Sequence, residues 1–357
     1  MVAHMPRFTP DISPRASAQS IRGLMLSLAV LATTHFGFAQ NTPLISGGGA
    51  FFSNTNGGKT NYSMLVEPVL VAPISAHILV ESRAALLEGF SLNGGSQPGY
   101  KHSHFIAETY LQGDFLVSSR LTMVGGHYLV PFNNYNERMS PPWISNFQDS
   151  PLILPLGLLQ GGSGLGGMLR GNAINNSRFS ISYAYFYSAR RSAEEFAAHR
   201  GTGGRVSLYL PEKRLELGFS LDRLLQGTHE NFYGGYAWWE PKDTGLRLRS
   251  EFASGQHARG YWVEADYRLQ AFGGPESVVG RFEPIIRIQQ TFRRDTIASD
   301  GLPGVDTQRA DFGFDYNLPH NVRIVTSYAR LFSSTGNRNI WETGITYRFL
   351  FPAWKGK

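Results

Sequence analysis

Charged residues spaced two or four apart are the chemistry-bearing signal of this 357-residue chain. Arg247 and Arg249, Glu264 and Asp266 and Arg268, Glu283 and Arg287, and Asp311 and Asp315 occupy even spacings, while the other phase of each run is mostly Leu, Val, Ile, Phe or Tyr. On a strand, even spacing puts such groups on one face. Fixed charges of both signs along one wetted face suit the steering of ions and polar solutes. Bond-making motifs are weaker. Gly162-Ser-Gly164-Leu-Gly-Gly167 matches G-x-G-x-x-G, but no alternating strand leads in and no clear helix follows, which argues against a phosphate cradle. His102 and His104 lie beside Lys101 without a third ligand, so a solvated strand edge is the simpler reading than a metal site. No G-x-S-x-G elbow, H-E-x-x-H or close carboxylate pair is present. No catalytic residue, cofactor or metal is expected.

The elements that must carry these charges are strands. In Ile340-Trp-Glu-Thr-Gly-Ile-Thr-Tyr-Arg-Phe-Leu-Phe351, Trp341, Thr343, Ile345, Tyr347, Phe349 and Phe351 share one face, and Glu342, Gly344, Thr346 and Arg348 the other. One face is apolar with aromatics at its ends and the other is polar, as a strand between lipid and a watery lumen requires. The pattern recurs at 214–223, 244–253, 260–271, 281–293 and 309–317, and less sharply around Phe179 to Tyr187. A soluble sandwich also alternates, but it would hide its apolar faces and would have to pair its inward charges in a dry core. The fold class expected is all-β, a transmembrane antiparallel β-barrel of about sixteen strands (fourteen to eighteen).

Composition agrees: hydrophobic content is 42%, aromatics 13%, and there are forty glycines and no cysteine. Mean hydropathy of −0.21 excludes a helical membrane bundle. The net charge of +6 is mild for this size and does not argue for nucleic acid.

Connection lengths add a second signal. Counting strands from about residue 45, links 2–3, 8–9, 10–11 and 14–15 are short, and links 3–4, 5–6, 7–8 and 13–14, at about 85–101, 131–162, 189–203 and 294–307, are long. Short periplasmic turns alternating with longer external loops are the habit of outer-membrane barrels. Links 6–7 and 12–13 read as intermediate. Ala193-Glu-Glu-Phe-Ala-Ala-His199 suggests one helical turn in the fourth loop.

The N-terminus reads as an export signal. Arg15 and Arg22 precede the apolar run from Gly23 to Ala32, and small residues at Gly37 and Ala39 suit cleavage after Ala39. The expected organisation is a signal peptide over 1–39, a barrel over 40–351 and a tail over 352–357, in the bacterial outer membrane.

The longest connection, from Pro131 to Pro155 and on into Gly161–Gly167, is expected to be functional, as connections beyond about 15 residues usually are. Pro141, Pro142, Pro151 and Pro155 stiffen it, and Trp143 and Phe147 give it packing groups. Folded into the lumen as the third external loop, it would narrow the pore and present Asn133, Asn134, Tyr135, Asn136, Glu137, Arg138 and Asp149. A flap on the barrel rim is the alternative. Eight arginines are expected to charge the lumen: Arg214, Arg268, Arg281, Arg323 and Arg348 toward one mouth, and Arg247, Arg249 and Arg287 deeper. Inward acids are about as numerous, so a basic mouth favouring anions and paired charges without selectivity both remain open.

Gly126-His-Tyr-Leu-Val-Pro131-Phe132-Asn133 resembles the G-x-F-x-x-P-F-G segment of the phosphate-selective porin O and P family. Gly260-Tyr-Trp-Val-Glu-Ala-Asp-Tyr-Arg-Leu269, Gly280-Arg-Phe-Glu-Pro-Ile-Ile-Arg287 and Asn321-Val-Arg-Ile-Val-Thr-Ser-Tyr-Ala-Arg330 are similar to that family's late strands. The resemblance implies a sixteen-stranded outer-membrane barrel, commonly trimeric, passing anions through an arginine-lined lumen, with phosphate specificity carried by constriction lysines. This chain has none between Lys101 and Lys213, and Asn133 and His127 depart from the family pattern. The partners implied are outer-membrane lipid and lipopolysaccharide, small hydrophilic solutes or anions, a homotrimer and the barrel-assembly machinery. Two other readings stand beside the porin: a barrel enzyme hydrolysing lipid, and a structural or adhesive barrel plugged by its own loop.

Overall fold

In the computed structural model the described residues are 42–92, 100–139, 141, 143–156, 162–189, 200–295 and 300–353. The expected signal peptide and the helical turn at 193–199 lie outside them.

Sixteen strands follow one another around a cylinder. The first eight are β1 (Leu44–Asn56), β2 (Lys59–Ser75), β3 (Ile78–Leu92), β4 (Tyr100–Ser118), β5 (Leu121–Leu129), β6 (Ser163–Asn175), β7 (Ser180–Ala189) and β8 (Arg200–Leu210). The second eight are β9 (Leu215–Leu224), β10 (Asn231–Trp239), β11 (Leu246–Ser254), β12 (Ala258–Tyr267), β13 (Phe282–Arg293), β14 (Thr307–Asn317), β15 (Val322–Ser333) and β16 (Arg338–Pro352). Each pairs antiparallel with its sequence neighbours, and β1 pairs with β16, Leu44 opposite Pro352, to close the barrel. Closure leaves no edge strand with unpaired backbone groups. No described helix is long and apolar enough to cross a membrane, which says nothing of strands.

The two-residue alternation sets the faces. On β16, Trp341, Ile345, Tyr347 and Phe351 are exposed on the outer wall, while Ile340, Glu342 and Thr346 are buried inside. On β13, Glu283, Ile285, Arg287, Gln289 and Thr291 are buried, and Pro284 and Ile288 exposed. Aromatics gather near both ends of the outer wall. Tyr328 meets Trp341 at 4.6 Å between ring centroids at one end, and Phe282 meets Tyr316 at 4.7 Å at the other.

Connection lengths differ from expectation in four places. β3 runs on to Leu92 and β4 begins at Tyr100, so the β3–β4 link is 93–99 and not the long 85–101 expected. The β1–β2 hairpin turns on Gly57 and Gly58 alone, at φ +58° and +78°. It is a very short link at the end where long ones were expected, and only residues that accept positive φ at both positions build it. The β11–β12 link, residues 255–257, is short at that same end. Conversely, β12 stops at Tyr267 rather than 271, and the expected-intermediate β12–β13 link becomes the longest connection at the opposite end. It carries a helical turn, α2 (Gln270–Gly273), and a 3-10 turn at Val279–Arg281. Gly273, Gly274 and Pro275 end the alternation there because they give the ladder little side-chain packing and one missing N–H.

The 130–162 connection folds into the barrel. Its described part holds one helical turn, α1 (Tyr135–Arg138), and a 3-10 turn at Leu154–Leu156. Val130, Phe132, Tyr135, Met139, Ile153 and Leu156 of this loop join Val124, Tyr128, Met168 and Phe186 of β5–β7 and Ala253, Ala258 and Trp262 of β11–β12 in one buried apolar cluster. Each large side chain so buried contributes about 1.5–3 kcal/mol, so the loop is held inward largely by the apolar residues between its polar ones. The G-x-G-x-x-G match forms the start of β6 instead of a phosphate loop. A Cβ at Gly166 would run into the backbone of Tyr187.

Candidate pore constriction

The loop crosses the lumen and is tethered in two stretches. The first, 133–138, lies against β8–β11. Asn133 holds φ +51°, a left-handed conformation that asparagine tolerates. Its N–H donates to Ser220 Oγ at 3.0 Å and its Nδ2 to the Phe252 carbonyl at 3.0 Å. The N–H groups of Asn134 and Tyr135, unpaired within a helix start, both donate to Glu251 Oε1, at 2.9 and 2.8 Å. Arg205 donates to the Asn133 carbonyl at 2.5 Å and pairs with Glu137 at 2.6 Å. Arg138 forks onto Glu216 at 2.6 and 3.3 Å, and Tyr236 donates to the same carboxylate at 2.9 Å. Asn136 joins the ends of the loop by donating to the carbonyls of Val130, at 3.2 Å, and Gly162, at 2.8 Å. Burial of Tyr135, whose ring meets Trp262 edge-on at 5.8 Å, pushes its phenol pKa up.

The second stretch, 143–152, lies against β12–β15 and reaches back to β1 and β3. Trp143 stands 5.7 Å from the Arg83 guanidinium and fills the space a side chain at Gly48 would need. Arg323 donates to the Ser145 carbonyl at 2.6 Å, and Asn146 donates to Glu264 at 2.9 Å and Asp266 at 3.1 Å. The Phe147 ring lies 4.5 Å from the Arg287 guanidinium, which donates to the Asp149 carbonyl at 2.8 Å. The Asp149 carboxylate takes Arg309 at 2.7 Å. Burial alone would raise Asp149, but Arg309, a hydrogen bond with Glu342 and the nearby Arg287 together outweigh it and hold the carboxyl below its ordinary 3.8.

Beneath these tethers the wall charges alternate in sign. Arg249, Glu264, Arg287 and Asp311 are direct cross-strand partners in one row over β11–β14, and Arg247 faces Asp266 in the next. Opposite charges so placed stabilise the sheet and satisfy each other. Arg247 binds Asp266 and Glu283, and Arg323 binds Asp315 at 2.8 Å.

The remaining expected lumen arginines sit at the rim, at the end opposite the 130–162 loop. Arg214 is a turn residue at φ +49°, paired with Glu240 at 3.2 Å. Arg268 lies beyond the end of β12 yet reaches Glu283 at 3.4 Å. Arg281 belongs to the 3-10 turn before β13 and pairs with exposed Glu276 at 3.0 Å, on the connection instead of inside a strand. Arg348 is exposed near the end of β16.

Between loop and wall, over β6–β11, lies a hydrophilic hollow of about 510 Å³. Arg138, Arg214, Arg247 and Arg249 face it together with Glu216 and Glu240, beside Tyr209 and Trp238. Arg138 and Arg249 stand 5.8 and 5.5 Å from the Trp238 ring. Under the loop on the β12–β15 side, Arg287, Asp311 and Glu264 are nearly fully buried.

Residues that the sequence reading omitted do much of the holding. Arg309 shares the phase of Asp311 and Asp315 and was legible as inward on that ground. Arg205 stands in a glycine-rich run whose alternation is blurred, and Glu251 was legible as inward but not as a helix-start acceptor. Nothing in the sequence marks Asn146.

A closed sixteen-stranded barrel with its third long-side loop folded inside is the architecture of the outer-membrane porins. No family model matches the chain, and none of the curated proteins matches it in sequence. Solved structures do match in shape. The high-pH structure of Pseudomonas putida OprB is similar with a TM-score of 0.59 at 10% identity, over 87% of this chain and 94% of that one. Salmonella typhi OmpF in complex with daunomycin gives 0.58 at 12% identity, over 87% and 97%. The anion-selective porin from Comamonas acidovorans gives 0.54 at 11% identity, over 87% and 100%. At such identities the likeness is one of fold.

Proposed function

We propose that the chain is an outer-membrane porin through which small hydrophilic solutes diffuse, with a preference for anions. The hollow over β6–β11, which Arg138 of the tethered loop also lines, carries this reading: it is a polar space inside a closed barrel, and four arginines face it against two glutamates. The wall acids behind Arg247 and Arg249 keep the preference modest. In this reading the short-turn end faces the periplasm, residues 1–39 are removed on export, and the barrel-assembly machinery inserts the rest among lipid and lipopolysaccharide, as one subunit of a homotrimer. The resemblance to the phosphate-selective porin O and P family narrows the solute to anions; the third loop's single base, Arg138, offers no lysine cluster to select phosphate among them.

The test is conductance of the purified protein in a planar bilayer under a potassium chloride gradient. Discrete steps with a reversal potential on the chloride side are expected. A reversal on the potassium side removes the anion preference and leaves the porin.

A second reading has its own observation. The apolar cluster and the tethers from β8 to β15 also suit a barrel plugged by its loop. Absence of steps from protein that is folded would favour it.

A further inference from the structure

Two apolar grooves run side by side on the outer wall near the short-turn end. The first, of about 640 Å³, is lined by Leu215, Ala237, Trp239, Leu248, Ser250 and Val263, with Glu212, Lys213 and Lys242 at its rim. It exists because Ala237 and Ser250, direct cross-strand partners, are small among larger neighbours. Trp239 forms its end wall, locked by a hydrogen bond from its indole N–H to the Lys213 carbonyl at 3.0 Å. The second, of about 400 Å³, is lined by Ala265, Tyr267, Pro284, Ile286 and Phe312. A ridge of Leu248 opposite Ala265 and Leu246 opposite Tyr267 separates them.

We propose that this wall holds one glycerophospholipid, its two acyl chains lying in the two grooves astride the β11–β12 ridge and its phosphate between Lys213 and Lys242. The inference rests on the barrel lying in a membrane, not on what passes through it. Charge and depth argue for this occupant. Neither lysine is engaged in an ion pair among the described residues, and both stand where the apolar groove meets the rim. An amphipathic tryptophan at that level marks the headgroup boundary. Acyl chains match a pair of almost wholly apolar grooves, and an anionic phosphate matches two ammonium groups at the rim of the first. Glu212 on the same rim suits the ammonium of a zwitterionic lipid.

The test is native mass spectrometry of detergent-purified protein after titration with phosphatidylethanolamine, with diacylglycerol of the same chains as the phosphate-free control. The expected result is one retained phosphatidylethanolamine per chain, little diacylglycerol, loss of retention in Lys213→Gln/Lys242→Gln, and loss in Ala237→Leu/Ser250→Leu, which fills the first groove. Heat-modifiable gel mobility reports folding of each variant. Equal retention of both lipids, or retention unchanged in both double variants, means annular lipid only and overturns the proposal. So does a change of subunit number in Ala237→Leu/Ser250→Leu with lipid retention unaltered, since a second copy would then cover the wall. All four positions lie outside the lumen, so bilayer conductance tests the porin reading separately.

Discussion

The two halves of the lumen use the same residue types to opposite ends. Over β12–β15, Arg287, Arg309 and Arg323 are consumed: each meets a wall carboxylate and a carbonyl or carboxylate of the loop, and the loop lies flush on them. Over β8–β11 the roles invert. There, wall carboxylates Glu216 and Glu251 hold the loop by its N–H groups and by Arg138, Arg205 alone among the described wall arginines tethers it, and Arg247 and Arg249, paired with wall acids, line a hollow instead of the loop. An inward arginine is therefore not by itself a selectivity element. It becomes one only where the loop stands off the wall; elsewhere its charge is spent as a tether.

Deleting 133–150 should break the comparison altogether. Both tethers vanish, the two halves become one wide lumen, and single-channel conductance should rise severalfold in a bilayer, the largest effect expected. Unchanged conductance would mean that the loop does not limit the passage. Sharpening comes from Arg138→Gln, which removes one of the four facing arginines. Its side chain is 47% exposed, so the loss of its pair with Glu216 should cost under about 1 kcal/mol of stability. The reversal potential should nevertheless move toward the cation side, as a ring of charge in a pore demands. The smallest effect concerns acid. Asp149 lies below 3.8 in the folded protein because Arg309, with Glu342 and Arg287, outweighs the effect of its burial. Its pairing therefore stabilises the loop at every pH above 3.8 and is lost only as pH falls through the lower folded value. Closures of the channel should become frequent in strong acid, as the Asp149–Arg309 pair is lost. Asp149→Asn should show that behaviour already at neutral pH.

Much of the architecture was legible beforehand because it depends on a period of two. The outward aromatics of β16 and the inward Glu216, Glu264, Asp311 and Glu342 follow from that period alone, and register follows with them, since a one-residue slip would exchange every face. Strand ends were less legible. Nothing local stops the alternation of Tyr267, Arg268 and Leu269; the glycines and proline just beyond do, and so Arg268 and Arg281 fell outside strands. The loop's inward fold was foreshadowed by its length and prolines, yet its attachment points were not.

By itself the order of residues determined that this chain makes a two-faced, closed cylinder, greasy without and charged within. Alternation is a local property, written every two residues and satisfied strand by strand. Which of the inward charges meets solvent was settled only when residues more than a hundred positions apart came together: Asn134 with Glu251, Asn146 with Glu264 and Asp149 with Arg309. A charge carries no mark of its future partner along the chain, and pairing is a matter of distance in space.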